Sequence, residues 1–261
     1  MSTSYLQLDN DGITPQGGER VKQLQALFDS LVRQYQFDGG IYIVSLSKQV
    51  NVRDSLLYKP VSKKRSHQRH NFLFSNSSMR RLRHEFASSC IEVEPNMRAY
   101  LDNDSVIFSY EGDDEACRHC RTILDKYGVR SRFFFRYRDP EYSEFTAEFF
   151  LMSDRHPDEL SQAVSTFKQE LIERLENFHK VLFASRIVPD INPLVGLGLV
   201  NDKGRQVLQL VADGHARSEI ASMLFLTERG VDYHLNKLKV LFNAKNNAQL
   251  VAYAYKYKVL A

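Results

Sequence analysis

The sequence predicts an α+β protein in two parts: an N-terminal α/β/α sandwich with an antiparallel sheet over residues 1–186, and a C-terminal all-α four-helix unit over residues 198–261. A linker at 187–197 joins them. Three observations predict this. Up to residue 186, segments with helical hydrophobic spacing alternate with short β-branched and aromatic runs. The stretch IVPDINPLVG, with two prolines and a closing glycine, then interrupts the patterning. After it the pattern turns entirely helical, with short loops. A chain of 261 residues has room for two domains of ordinary size.

In chain order, Glu19 to Tyr35 places Val21, Leu24, Leu27, Phe28, Leu31, Val32 and Tyr35 on one stripe of a helix. After Gly39 and Gly40, IYIVSLS reads as a strand. KPVSKKRSHQR, Lys59 to Arg69, is basic without apolar periodicity and reads as an exposed loop. A second helix runs from about Asp114 to Tyr127, with Gly128 as its stop. VRSRFFFRY and EFTAEFFLM, separated by Asp139-Pro140-Glu141, read as an antiparallel hairpin. Alternation puts Phe133, Phe135 and Tyr137 on one face of the first strand, and Phe145, Ala147, Phe149 and Leu151 on one face of the second. A long helix from Pro157 to about Ser185 repeats apolar residues from Leu160 to Leu182 in steps of four and three, enough to cover a sheet and still meet a partner helix.

Beyond the linker, Asn201 caps a helix carrying Val207, Leu208, Leu210 and Val211 that ends at Asp213-Gly214. A brief helix spans Arg217 to Leu224, and Thr227 caps a third, Glu228 to Phe242. A fourth spans roughly Ala248 to Lys256. Two short helices around the tight Phe225-Leu226-Thr227 turn are what a helix-turn-helix reader requires. The second helix must project its N-terminal half into a groove about 12 Å wide.

Composition narrows the function classes. With 43% hydrophobic and 26% charged residues, disordered and fibrous classes are excluded. No run approaches the roughly 18 apolar residues of a membrane span, and MSTSYLQLDNDG lacks the basic start and apolar core of a signal peptide, so a cytoplasmic protein without membrane contact is expected. Three cysteines imply free thiols in a reducing compartment. The net charge of +3 is unevenly placed: from Gly196 onward nine Lys and Arg face five Asp and Glu, so the whole positive excess lies in the C-terminal quarter. That asymmetry suits a polyanionic partner.

The residues 207–254, VLQLVADGHARSEIASMLFLTERGVDYHLNKLKVLFNAKNNAQLVAYA, resemble the LuxR-type helix-turn-helix, matching its pattern at Gly214, Glu219-Ile220-Ala221, Val231 and His234. They depart from it at Asn201, Lys203 and Gly204 in place of a Thr-Arg-Glu-like opening, at Ala216 in place of a Ser cap, and at Gly230 in place of Thr. The resemblance implies a transcription regulator that binds double-stranded DNA as a homodimer. It places base readers at Asp232, Tyr233 and Asn236, and Arg217, Arg229, Lys237 and Lys239 are the candidates for phosphate contacts. His234 reads as a packed core residue rather than a contact.

A second, looser resemblance, over residues 96–186, is to the autoinducer-binding domain of quorum-sensing LuxR receptors. Those receptors hold an acyl-homoserine lactone with a Trp, a Tyr and the Asp of an Asp-Pro-Val motif. This chain has no Trp; Tyr100 and Asp104, in Asp104-Ser105-Val106, are the corresponding candidates. Phe133, Phe135, Phe149 and Phe150 either line a ligand pocket or form plain core. The implied receptor takes an acyl-homoserine lactone, another small apolar ligand, or none, and needs no cofactor. A receiver domain is not expected, because a hairpin and a closing helix replace its parallel sheet. An alternative role is a non-DNA-binding antagonist that pairs with a related LuxR-type receptor. Cys117-Arg118-His119-Cys120 is half of a metal or redox site that Cys90 or His84 could complete, but both cysteines sit on the helix's apolar stripe, so core thiols and no metal are expected. No enzymatic motif stands out.

Overall fold

The computed structural model describes residues 19–47, 72–91, 93–184, 191–196 and 198–260. The basic stretch Lys59 to Arg69 lies outside the described residues. Contacts divide the chain into two units, one built from residues 19–45 and 72–184 and the other from residues 46–47 and the described residues after 190.

The first unit runs α1 (Glu19–Gln34), β1 (Gly39–Leu46), β2 (Phe72–Phe74), α2 (Ser77–Ser89), α3 (Met97–Asp102), β3 (Ser105–Phe108), α4 (Glu115–Asp125), β4 (Ser131–Tyr137), β5 (Phe145–Ser153) and α5 (Pro157–Ala184). The strands form one sheet in the order β2-β1-β5-β4-β3. The pairs β1–β2, β3–β4 and β4–β5 are antiparallel. The expected helix, strand, helix, hairpin and long helix are all present. Two helices and two strands, α2, α3, β2 and β3, were not read from the sequence.

Register decides which side chains share a face. Phe133 lies opposite Leu151, Phe135 opposite Phe149 and Tyr137 opposite Ala147, so these six point to one side. That side is covered by α1 and α5: Phe149 packs near Phe28 of α1 and Phe178 of α5, with Tyr42 of β1 at 4.9 Å between ring centroids. The other side carries Arg132, Phe134 and Phe150, and it packs beneath α2 and α4 through Met79, Leu82, Phe86, Cys120, Ile123 and Leu124. The result is the α/β/α sandwich the periodicities require. Local signals set the helix ends: Asn76 caps α2 by accepting from Met79 N–H, Asp114 caps α4 by accepting from Cys117 N–H, and Gly128 after α4 takes φ +69. Cys90, Cys117 and Cys120 are free and buried, and burial is the largest cause raising the Cys120 thiol pKa.

One polar group interrupts the α5 side. His179 is fully buried, accepts or donates through Nδ1 to the Tyr42 hydroxyl at 2.8 Å, and points Nε2 toward Asp139 at 3.9 Å. Neither His179 Nε2 nor Asp139 Oδ2 has a hydrogen-bond partner among the described residues. Burial pushes the His179 pKa from 6.5 down to about 4, although the Asp139 charge works the other way. The folded state therefore favours the neutral ring. Stability is full above the unfolded pKa near 6.5 and falls as pH drops from there toward 4, by about 3 kcal/mol in total. Urea unfolding of the full chain between pH 7 and 4 is expected to show this loss, and His179→Gln to remove most of it. Equal slopes for the two proteins would refute the assignment.

The second unit contains α6 (Pro193–Gly196), α7 (Asp202–Ala212), α8 (Arg217–Leu224), α9 (Glu228–Phe242) and α10 (Asn247–Lys256). Its core is Val207, Leu208, Ile220, Val231, Leu235, Leu238, Phe242 and Leu250, closed by Leu194 and Val259. The expected linker needs correction here. Asn192, Pro193 and Leu194 are buried, Leu194 lies in the C-terminal core, and Asn192 donates to the carbonyl of Tyr257 at 2.7 Å, so residues 192–194 belong to that core. Pro193 signals a break in periodicity, not exposure; the apolar Leu194 finds its surface only in three dimensions.

Candidate nucleic-acid interface

The sharp connection between α8 and α9 is made by its own backbone. Phe225 ends α8 in the left-handed region (φ 54, ψ 45), and its successor Leu226 donates to the Ala221 carbonyl at 2.8 Å. For a bulky residue this conformation is unusual. The Phe225 side chain is 96% exposed, so it gains nothing from burial. Thr227 then caps α9 by accepting from Gly230 N–H at 3.0 Å. At the other end of α8, Ala216 has no side-chain cap, but Glu219 accepts from Ala216 N–H at 2.7 Å, which retains half of a capping box.

Val231, Leu235, Leu238, Leu241 and Phe242 form the buried stripe of α9. The opposite face carries Arg229, Tyr233, Asn236 and Lys237, all exposed, with Tyr233 at 64%. Asp232 and Lys239 lie on the flank between the two and are half-buried. Lys239 sits in the last turn, where a cation complements the helix dipole, so of the expected contacts it is the one set apart from the N-terminal half of the helix. Arg217, at the start of α8, reaches across to α9 and places Nε 3.1 Å from Asp232 Oδ1. His234 is half-buried, and its pKa is lowered by burial first and by the Lys237 and Lys203 charges next.

The residues expected to line a ligand pocket do not come together. Phe133, Phe135 and Phe149 are buried on the α1 and α5 side of the sheet. Tyr100 lies on the opposite side, edge-on to Phe108, Phe134 and Phe150. The sheet stands between them, because alternate residues of one strand face opposite ways. Asp104 is exposed and bound to Arg138 at 2.6 Å, an interaction that lowers its carboxyl pKa. It cannot be a buried anchor in this arrangement.

A cluster that sequence reasoning missed occupies the Tyr100 side. Arg132 and Glu94 are both buried, with the Arg132 terminal nitrogen 3.8 Å from Glu94. Arg132 donates to the Tyr110 hydroxyl, which in turn donates to Glu94 at 2.6 Å. The guanidinium stacks within 5.0 Å of the Phe86, Phe108 and Tyr110 ring centroids. Burial pushes the Tyr100 hydroxyl pKa well up, with the Arg132 charge opposing. The one sequence signal was Arg132 in step with Phe134 on a strand rich in aromatics.

The four helices α7 to α10 on one core, with a tight turn before a capped helix whose outer face is polar and basic, define a helix-turn-helix DNA-binding module. Residues 202–254 match the family described as bacterial regulatory proteins, luxR family, so the C-terminal unit carries a LuxR-type helix-turn-helix. No curated protein sequence matches the chain. Among solved structures, Escherichia coli SdiA is similar at a TM-score of 0.40 and 15% identity, covering 94% of this chain and 94% of that one. SdiA in complex with octanoyl-rac-glycerol is similar at a TM-score of 0.36 and 16% identity, covering 93% of this chain and 90% of that one. Likeness at this level carries no argument about ligand or partner.

Proposed function

We propose that this protein is a bacterial, cytoplasmic transcription regulator of the quorum-sensing LuxR type, which binds double-stranded DNA as a homodimer with α9 in the major groove. The observation that carries this reading is the outward face of α9, where Arg229, Tyr233, Asn236 and Lys237 stand exposed on a helix anchored by its opposite stripe. Asn236 has the donor and acceptor pair that suits adenine, and Lys237 a point charge that suits phosphate. Dimerisation joins two small readers on a twofold site. The long α5, where Val181 is exposed, offers a surface for it. Among the described residues no helix is long and apolar enough to cross a membrane.

The N-terminal unit is an effector domain with an altered small-molecule ligand or none. Supporting this, the volume beneath α2 beside β4 is taken by the chain's own Arg132, Phe86, Phe108 and Tyr110. A lactone-binding set of Tyr100, Asp104, Phe133, Phe135 and Phe149 is not assembled. Native mass spectrometry of protein expressed with and without a lactone-producing strain tests ligand and oligomer together; a bound lactone or a monomer would contradict this reading.

Selection from a random-sequence duplex library tests DNA reading. Lys237→Ala is expected to weaken all sites alike and lower the salt slope by about 1, whereas Asn236→Ala is expected to cost about 1–3 kcal/mol of discrimination at one base pair. Unchanged binding by both variants would remove α9 as the docking face. A second reading, antagonism through mixed dimers with a related LuxR-type receptor, is favoured by the carboxylate of Asp232 beside the reading face, since it repels phosphates.

A further inference from the structure

Within the DNA-reading function proposed above, we infer that Arg217 is a base-reading residue aimed by Asp232, and that its target is a guanine. The reading surface then comprises two helices, with α8 supplying the arginine and α9 the carboxylate that holds it.

A carboxylate at the second turn of a helix facing DNA repels phosphates, and an arginine at the start of α8, taken alone, is a phosphate contact. The two side chains instead meet: Arg217 Nε lies 3.1 Å from Asp232 Oδ1. Engagement through Nε leaves both terminal amino groups of the guanidinium unengaged by that contact. These two form a parallel donor pair, the arrangement that matches the O6 and N7 acceptors of guanine in the major groove. The carboxylate serves two ends. It offsets its own repulsion by pairing, and it holds a long, flexible side chain in one rotamer before DNA arrives, lowering the entropy lost on binding.

The pair is placed to act on DNA. Arg217 and Asp232 retain 57% and 39% side-chain exposure, so neither is committed to the core. Asp232 is flanked in sequence by Val231, which anchors the helix in the core, and by exposed Tyr233. The Arg217 and Asp232 backbones both belong to helices held by Ile220, Val231 and Leu235. A surface ion pair of this kind contributes little to stability, so its removal leaves the fold intact and its effect is read in recognition.

The test uses the full chain and a random-sequence duplex library. The sequence selected by the unaltered protein supplies a reference duplex and its single-base-pair variants, on which Arg217→Lys, Asp232→Ala, Asp232→Asn and the double variant R217K/D232A are compared. The expected result is a G·C pair at which the unaltered protein discriminates by about 10- to 100-fold. Arg217→Lys and Asp232→Ala should each lose most of that preference at the same pair, because lysine keeps the charge but lacks the planar fork. The double variant should lose no more than the larger single effect, and Asp232→Asn, which keeps an acceptor oxygen, should retain part of the preference. Two results would overturn the inference while leaving the DNA-reading function standing. In one, Arg217→Lys keeps the full base preference, which makes Arg217 a phosphate contact. In the other, Asp232→Ala tightens binding to every duplex with its preferences intact, which makes Asp232 a repulsive charge alone. A chain that selects no sequence overturns the DNA-reading function and this inference with it.

Discussion

Truncating Phe149 to alanine is expected to destabilise the N-terminal unit by about 3–5 kcal/mol. Its ring is fully buried at the centre of the α1 and α5 side of the sheet. It touches a different element in each direction: Phe28 of α1, Tyr42 of β1, Phe135 of β4 and Phe178 of α5. Removing it leaves a cavity walled by rings whose own rotamers are fixed by further ring contacts, such as Phe28 with Phe178 at 5.1 Å, so collapse around the void is limited. Urea unfolding at unchanged m-value reads the shift in midpoint. Exposed Gln23→Ala on α1, in the layer that covers the same face, should stay within about 0.5 kcal/mol and serves as the control. A Phe149→Ala cost below about 1 kcal/mol would mean that this face is not the structural core.

The second large effect concerns the ionic cluster on the opposite face. Glu94→Ala should cost about 3–5 kcal/mol, because it leaves the buried Arg132 guanidinium without its carboxylate and deprives Tyr110 of its acceptor. The double variant Arg132→Met with Glu94→Leu should cost less than Glu94→Ala alone, since no charge is then left behind in the core. Arg132 Nε already lacks a hydrogen-bond partner among the described residues, which makes the cluster more sensitive to losing the one carboxylate near it. If the single variant proved milder than the double, the Arg132 charge would have to be reaching solvent, contrary to its burial.

How far the sequence could be read follows the range of the interactions involved. The helices α7 to α10 were legible almost to the residue, because their ends are written in neighbouring side chains: Asn201 accepts from Gly204 N–H, and Thr227 from Gly230 N–H. The hairpin was legible because its two strands, of seven and nine residues, are rich in aromatics and flank the turn signal Asp139-Pro140-Glu141. The α2 helix escaped because its apolar stripe is only Met79, Leu82 and Phe86 amid arginines and a histidine, though Asn76 marked its start. β2 and β3, with three and four residues, are too short for any period to show.

The site residues divide in the same way. The exposed face of α9 follows from helical spacing once its buried stripe is recognised. The ligand set failed because spacing along a strand does not say which layer covers which face. Tyr100 and Phe149 both look like pocket residues in sequence, yet they lie on opposite sides of one sheet.

The chain by itself determined the two-part α+β plan, the helix-turn-helix with the exposed face of α9, and the uneven charge. Each of these depends on residues within a few turns of one another. Only the tertiary structure decided that Arg132 meets Tyr110 and Glu94 in the core, that His179 faces Tyr42 and Asp139, that Leu194 leaves the expected linker for the C-terminal core, and that Arg217 reaches Asp232. These pairings join side chains on separate elements, and packing, which no local periodicity encodes, chooses their partners.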